Sequence, residues 1–510
     1  MSKGRRALRI IAVNLAVTCA LLVAAELACR HVERVKNESL LPANLRKLPP
    51  KGPSELRVFA FGGSTVYGVP VPEVAWVAQI QYWLKRLYPD RDIRVYNFGM
   101  QGVDTPYVLR EVTQRLDEQP DLLIVITGHN EFLGRDPNTP DLSARVQETL
   151  AWRFATFRMF QWGVAKIERP RIAGQVAPPL ARWNRESAYF KIRVAEFQES
   201  LEQIAERARE RHVKLILGTL PSNLADWPPV HKRLLDRDQR YTDMVAQIQE
   251  LLRDGKNAEA SEAVKAGFAL YGNDAMMEFL EGKAKSAQGN YGEAREWFIK
   301  ARDDDPIPLR TSSRLNAIIR QTAAGGDGVY LVDLDAIFQQ NAANELVSFD
   351  LISDWVHGTP RGESLTAQAV LRTMANIGIL PPASKPEEQC CPVNEFLADT
   401  GYLAPKSPLR MRALLLNATY PMKTPFLDYD AARIYLLQAL QEDPDSWQVW
   451  GNLATLSFFT DDPRTAQTQL QRAIELHHAP LNLNDREALP YLKQAMDYSA
   501  WRAAQPDARQ

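Results

Sequence analysis

The stretch LRVFAFGGSTVYG, Leu56 to Gly68, carries an apolar run into two glycines and a serine. Such a serine is a nucleophile only if the chain also supplies a base, a group that orients the base, and donors for an oxyanion. Three later stretches hold those residue types. NFGMQG brings Asn97, Gly99 and Gly102, GHNEF brings His129 and Asn130, and SDWVHG brings Asp354 and His357. An imidazole with an ordinary pKa of about 6.5 suits the base. Asp354 suits the group that holds its other ring nitrogen. The backbone N–H groups of Ser64 and Gly102 and the side-chain amide of Asn130 suit the oxyanion, and glycine lets its backbone approach a substrate closely. Each stretch alone also reads as an ordinary turn, because glycine and serine are common there, and Asn130 reads equally as a strand-end cap.

The surrounding pattern places all four stretches on one rim. LRVFAF, IRVYNFG, DLLIVITG, VKLILGTLP and GVYLVDL read as strands, and DLLIVITG is apolar enough to be buried on both faces. Helical periodicity lies between them, at Glu73 to Tyr88 and at about Phe190 to Glu210. TPYVLREVTQRLDE opens with Thr105 as an expected N-cap and Pro106 at the first helical position. Strands alternating with helices predict a parallel sheet covered on both faces. Ligands bind at the carboxyl ends of such strands, where the four polar stretches fall.

GGST, NFGMQG, GHNE and DWVH, in this order, resemble the four blocks of the SGNH (GDSL-type) hydrolases. The resemblance implies an α/β/α sandwich and an esterase or acylhydrolase. It implies Ser64 as nucleophile, Gly102 and Asn130 in the oxyanion hole, and Asp354 with His357 completing the triad. It covers about residues 56–230 and 308–380. Gly63 stands where many members have Asp, Glu131 where Asp is frequent, and HGTPRGESLT after His357 is a longer approach to the last helix than usual. His129 reads as a neighbour of the site. His231, in DWPPVHKR, reads as a loop residue, with substrate contact as the alternative. No HExxH or H-x-x-H arrangement exists, so neither a metal nor another cofactor is expected.

The N-terminus adds a location. Lys3, Arg5, Arg6 and Arg9 precede an apolar stretch from Ile10 to Ala28, interrupted by Asn14 and Glu26. As a helix it can just span a bilayer. The reading is an uncleaved signal anchor over 1–36, then a linker over 37–55. A cleaved signal peptide is the rival; LAC ending at Cys29 is similar to a lipoprotein box, but Glu26 sits where an apolar residue is needed. The expected location is the inner (cytoplasmic) membrane, single-pass, with the bulk of the chain periplasmic or extracellular.

The sandwich is interrupted. GKNAEA (Gly255 to Ala260) returns as GNYGEA (Gly289 to Ala294) at a spacing that resembles a tetratricopeptide repeat. Ala432 and Ala466 have the same spacing in a second array. The expected domains are 56–239 and 308–380 for the hydrolase-like sandwich, 240–307 for a tetratricopeptide-like insertion, 381–404 for a linker, and 405–500 for C-terminal repeats. The repeats imply a protein partner by resemblance only. The segment from Leu133 to Ser187, with Trp152, Phe154, Phe157, Phe160 and Trp162, belongs to neither pattern. It is readable as a lid, as an amphipathic helix on a membrane, or as packing against the other units.

The 510 residues carry 45% hydrophobic and 24% charged residues with a net charge of −1, which fits globular domains and gives no basic excess for nucleic acid. Four cysteines make no CxxC; Cys390 and Cys391 are adjacent, either bonded or two loop thiols. The function expected is a membrane-anchored extracytoplasmic serine esterase or acylhydrolase. Its substrate would be an ester, an O-acyl group of envelope polysaccharide or a lipid. The alternatives are an O-acyltransferase using the same site, or a repeat-based scaffold with an idle hydrolase fold.

Overall fold

A computed structural model describes residues 3–133, 141–172, 185, 187–229, 239–380, 392–422, 428–477, 489 and 491–503. The chain opens with α1 (Lys3–Leu40), α2 (Ala43–Arg46), β1 (Leu56–Gly62), α3 (Ser64–Tyr67), α4 (Trp76–Leu87), β2 (Ile93–Asn97), α5 (Thr105–Arg115) and β3 (Leu122–Ile126). There follow α6 (Asp141–Arg153), α7 (Ala155–Ile172), α8 (Ala188–Glu210) and β4 (Lys214–Gly218). Next come α9 (Gln239–Arg253), α10 (Asn257–Tyr271), α11 (Ala275–Ala287) and α12 (Tyr291–Asp303). The sandwich resumes with α13 (Ser313–Ala324), β5 (Val329–Val332), α14 (Leu334–Asn341) and α15 (Pro360–Asn376).

The five strands form one parallel sheet in the order β2-β1-β3-β4-β5. β3 is buried along its whole length, as its apolar run predicts for a strand covered on both faces. Right-handed crossovers put α4, which joins β1 to the edge strand β2, on one face. The connections toward β5 run the other way, so α5, α8 and α13 lie on the opposite face, where they pack on one another in succession. α15 packs beside α4. The result is the expected three-layer α/β/α sandwich. Its core is anchored by Phe59 and Phe61 of β1, whose rings meet Phe98 at 5.0 and 5.2 Å. The strand order reverses beside β1, so the crevice between the ends of β1 and β3 is the ligand-binding position of such a sheet.

Several local expectations need correction. The N-cap of α5 is Asp104, not Thr105: the Asp104 carboxylate accepts the N–H of Tyr107 at 3.1 Å. Thr105 is turned inward instead, donating its hydroxyl to Glu131 at 2.7 Å. Residues 37–55 are not a bare linker. α1 continues to Leu40, and Leu41, Leu45 and Leu48 are buried in the sandwich core. In the stretch 381–404, a helix at Val393–Asp399 buries Phe396 and Leu397 in the same core. Cys390, Cys391 and His231 lie outside the described residues.

The insertion α9 to α12 is a set of helical hairpins with its own core. Gly255 and Gly289, with φ of +73° and +82°, make the turns that lead into α10 and α12. Ala260 and Ala294 are fully buried at equivalent places. A Cβ on Gly282 would stand 2.7 Å from the Phe298 ring, so that glycine lets α11 and α12 approach. The C-terminal part is also helical, at Pro408–Thr419, Tyr429–Glu442, Trp447–Phe459, Pro463–His477 and Leu492–Ala503. Ala432, Leu436, Ala439, Ala454, Ala466 and Ala473 are buried along it, consistent with repeats.

α1 holds one stretch, Ile10–Asn37, long and apolar enough to cross a membrane, within which an 18-residue window reaches a mean hydropathy of 2.3. Glu26 within it is not stray. Its carboxylate accepts the N–H groups of Ala155 and Thr156 at 2.8 and 3.0 Å, capping the start of α7. Arg158 of α7 pairs with Glu33 of α1 at 2.6 Å, and the Lys36 ammonium lies over the Trp162 ring at 4.5 Å. The part of the aromatic segment that forms α7 therefore runs along α1.

Candidate active site

Ser64 begins α3 directly after β1, so the strand end aims it over the sheet edge. Gly62 can be nothing larger, since a Cβ there would meet the Ile126 carbonyl oxygen at 2.0 Å. His357 arrives from the loop after α14, and its Nε2 lies 2.7 Å from the Ser64 hydroxyl. His357 Nδ1 lies 2.5 Å from Asp354 Oδ2. A carboxylate can only accept, so Nδ1 carries the proton and Nε2 is left to accept from Ser64. The other Asp354 oxygen accepts the N–H groups of Val356 and His357 at 2.8 and 2.7 Å. Both oxygens are thus held. Asp354 and His357 are buried and Ser64 is half-buried.

The two expected oxyanion residues come from the neighbouring strand ends. Gly102, after β2, is exposed and has φ +71°, a conformation that favours glycine. Asn130, after β3, donates one amide hydrogen to the Val103 carbonyl at 3.1 Å, which fixes the side chain and leaves its second hydrogen for a ligand. A Cβ on Gly63 would stand 2.9 Å from that amide nitrogen, so the glycine before Ser64 gives Asn130 its room. Asn97 shapes the loop between: it donates to the Val66 carbonyl at 2.8 Å and accepts the Gly99 N–H at 2.9 Å.

His129 is a neighbour, as its place in the pattern implied. It is buried and accepts the Thr311 N–H at Nδ1, 3.1 Å away. Burial, with the Arg302 and Arg310 charges nearby, pulls its pKa down to about 3, so it is neutral. Glu131 is buried too, and burial beside Asp104 raises its pKa. The long approach after His357 is no loose loop. Thr359 caps α15 at once, and Glu363 turns inward to accept the Trp76 N–H at 2.7 Å. Burial pushes the Glu363 carboxyl up to about 8 against the lowering effect of that bond and of the Gly358 N–H.

Sequence reasoning missed what holds the histidine loop. Asn223, after β4, donates its N–H to the Trp355 carbonyl at 3.1 Å and its amide to the Ile352 carbonyl at 3.2 Å. From the C-terminal helices, Tyr435 donates its hydroxyl to the Ser353 carbonyl. Tyr420 stacks on the His357 ring at 6.0 Å and 25°, and meets Trp355 edge-on at 5.2 Å. Burial and the Asp354 charge push the Tyr420 phenol up to about 12, so it stays neutral. A mainly apolar cavity of about 250 Å³ lies in the same seam, with Val71, Leu414 and Ile434 among its walls. No signal in the sequence links residue 420 to residue 357.

The family model for the GDSL-like Lipase/Acylhydrolase family matches residues 60–255, which include Ser64, Gly102 and Asn130 but neither Asp354 nor His357. No curated protein matches the chain. Among solved structures, it is similar to an α/β hydrolase enzyme from the metagenome of Lake Arreo, Spain, at 13% identity, covering 64% of this chain and 96% of that one, with a TM-score of 0.30. A GDSL-like lipase from Bacteroides thetaiotaomicron is 12% identical, with 68% and 98% covered and a TM-score of 0.31. A catalytic mutant of an acetylxylan esterase from Geobacillus stearothermophilus is 13% identical, with 64% and 95% covered and a TM-score of 0.29. Residues 60–255 therefore carry a GDSL-like lipase/acylhydrolase domain.

Proposed function

We propose that the chain is a membrane-anchored, extracytoplasmic serine esterase or acylhydrolase with Ser64, His357 and Asp354 as its catalytic triad. The observation that carries this is the relay from Asp354 Oδ2 through His357 to the Ser64 hydroxyl, with steps of 2.5 and 2.7 Å. His357 Nε2 takes the Ser64 proton as Oγ attacks the ester carbonyl. Asp354 stabilises the imidazolium that forms. The tetrahedral oxyanion is met by the N–H groups of Ser64 and Gly102 and the free hydrogen of Asn130. His357 then protonates the leaving alcohol, and water attacks the acyl-Ser64 by the same route in reverse. The tetratricopeptide character of the two helical regions, and any partner they bind, belong to the same proposal. The apolar stretch of α1 supports the anchor; Lys3, Arg5, Arg6 and Arg9 before it, set against Arg30, Arg34 and Lys36 after it, give only a weak charge bias toward an inward N-terminus.

The test is labelling of the full chain with a fluorophosphonate probe, beside hydrolysis of p-nitrophenyl esters. Ser64→Ala and His357→Ala are each expected to abolish labelling and to cut kcat/KM by about 10⁴-fold or more. Equal labelling of Ser64→Ala and wild type would remove Ser64 from the chemistry.

A further inference from the structure

Where α1 leaves its apolar stretch, it meets α5, α7 and α8 around a cavity of about 570 Å³. The walls are strongly cationic. α1 contributes Arg30 and Arg34, α5 contributes Arg110, the ends of α6 and α7 contribute Arg153 and Arg158, and α8 contributes Arg207. Glu33 is the one carboxylate among the lining residues, and it is engaged with Arg158. The Nε–H groups of Arg110 and Arg207 are buried with no hydrogen-bond partner among the described residues. Arg110 spends one terminal nitrogen on the Pro106 carbonyl, at 3.2 Å. Burial lowers its pKa, and the neighbouring Arg158 charge adds to that, while Asp104 and Glu33 oppose it only in part.

Arg30 is already paired with Glu26 at 2.8 Å, as Arg158 is with Glu33; the like charges that share the gap still repel one another, and buried donors without acceptors are costly. A ligand that supplies negative charge and several acceptor oxygens removes the repulsion. Phosphate is that ligand, because guanidinium groups pair with its oxygens two at a time. The place of the cavity selects the source. The apolar part of α1, from Ile10 to Leu27, is about 27 Å long at 1.5 Å per residue, close to the roughly 30 Å of a bilayer's hydrocarbon core. Arg30 and Arg34 come within the next two turns, at the depth of lipid headgroups. We infer that this arginine-lined cavity binds the phosphate of an anionic lipid headgroup at the membrane surface. This rests on α1 being a membrane anchor, as proposed above.

The test uses the full chain in neutral detergent, titrated with dihexanoyl-phosphatidylglycerol, dihexanoyl-phosphatidylcholine or inorganic phosphate, with the thermal midpoint as readout. Phosphatidylglycerol is expected to raise the midpoint saturably, and phosphatidylcholine much less. Arg207→Gln and Arg153→Gln are each expected to weaken the phosphatidylglycerol response about fivefold, as for the loss of one arginine near an anionic surface. Arg110→Gln also loses the bond to Pro106, so the two other variants carry the result if it fails to fold. Inorganic phosphate that binds as tightly as phosphatidylglycerol and displaces it would overturn the lipid and leave a free-phosphate site. No saturable response, or one that the variants leave unchanged, would overturn the site itself. Alkaline carbonate extraction of membranes holding the full chain tests the anchor separately: release of the chain would overturn the anchor, whatever the detergent titration shows.

Discussion

Tyr420 lies face to face with His357 at 6.0 Å and 25°, although the two belong to different parts of the chain. The tyrosine comes from the end of the helix Pro408–Thr419, and the histidine from the loop before α15. The C-terminal helices therefore help to build the wall of the candidate site. Aromatic stacking contributes about 0.5–1.5 kcal/mol, so Tyr420→Ala is expected to lower kcat for ester hydrolysis by roughly two- to tenfold. Tyr420→Phe keeps the ring and is expected to stay near wild type. Equal rates for all three proteins would show that the stack does not position His357.

Asp354 holds His357 by its ring and by its backbone, through different oxygens. Asp354→Asn is expected to keep the loop, because its amide oxygen can still accept the two N–H groups. The amide also invites the wrong tautomer of His357. Ester turnover is expected to fall by about 10⁴-fold, while circular dichroism stays unchanged. A fall below about tenfold would remove Asp354 from the relay.

Glu363 gives a pH signature. Its carboxyl is buried and pushed up to about 8, whereas an unfolded chain holds it near the ordinary 4.5. Between those values the folded state keeps a proton that the unfolded state has lost, so stability falls as pH rises through that window. It is fully present below about 4.5. Glu363→Gln keeps an acceptor for the Trp76 N–H and cannot ionise. Its thermal midpoint is expected to fall less than that of wild type between pH 5 and 8. Parallel curves for the two proteins would refute the assignment.

Gly99 tests the frame around Ser64. A Cβ there would stand 2.2 Å from the Tyr67 nitrogen and 2.6 Å from the Val66 carbonyl carbon, both in the short helix that Ser64 begins. Backbone cannot swing aside as a side-chain end can. Gly99→Ala is expected to destabilise the fold by about 1–3 kcal/mol or more and to reduce fluorophosphonate labelling. Unchanged stability by denaturant unfolding would contradict the close packing.

The Asn223 clamp gives a further test. Its amide and backbone hold the His357 loop from the exit of β4. Asn223→Ala removes the amide bond to Ile352 and leaves a buried acceptor unmet, at about 1–3 kcal/mol. Stability and kcat are expected to fall together; a drop in neither would mean that the loop holds itself.

Three of the candidate site residues are legible in the sequence because each follows a strand end and carries its own local mark. A strand's alternation or apolar run shows where it stops, and Ser64, Gly102 and Asn130 stand just beyond such stops. The hairpin turns at Gly255 and Gly289 were legible for the same reason: a left-handed turn selects glycine wherever it occurs. The N-cap of α5 was misplaced by one residue, because Asp104 and Thr105 are both good caps. Only the inward pull of Glu131 on Thr105 separates them.

Sequence by itself determined the alternation of strands and helices, the parallel sheet it demands, and the residue types at its carboxyl rim, since these depend on neighbours along the chain. Tertiary structure decided the rest. Glu26 reads as a flaw in an apolar stretch until α7 is seen to begin on its carboxylate. Tyr420 and Asn223 are ordinary residues until the fold brings them to the His357 loop. Six arginines scattered from residue 30 to residue 207 show no cluster until five helices meet. A contact between distant segments depends on how whole elements pack, and no local pattern of residues records it.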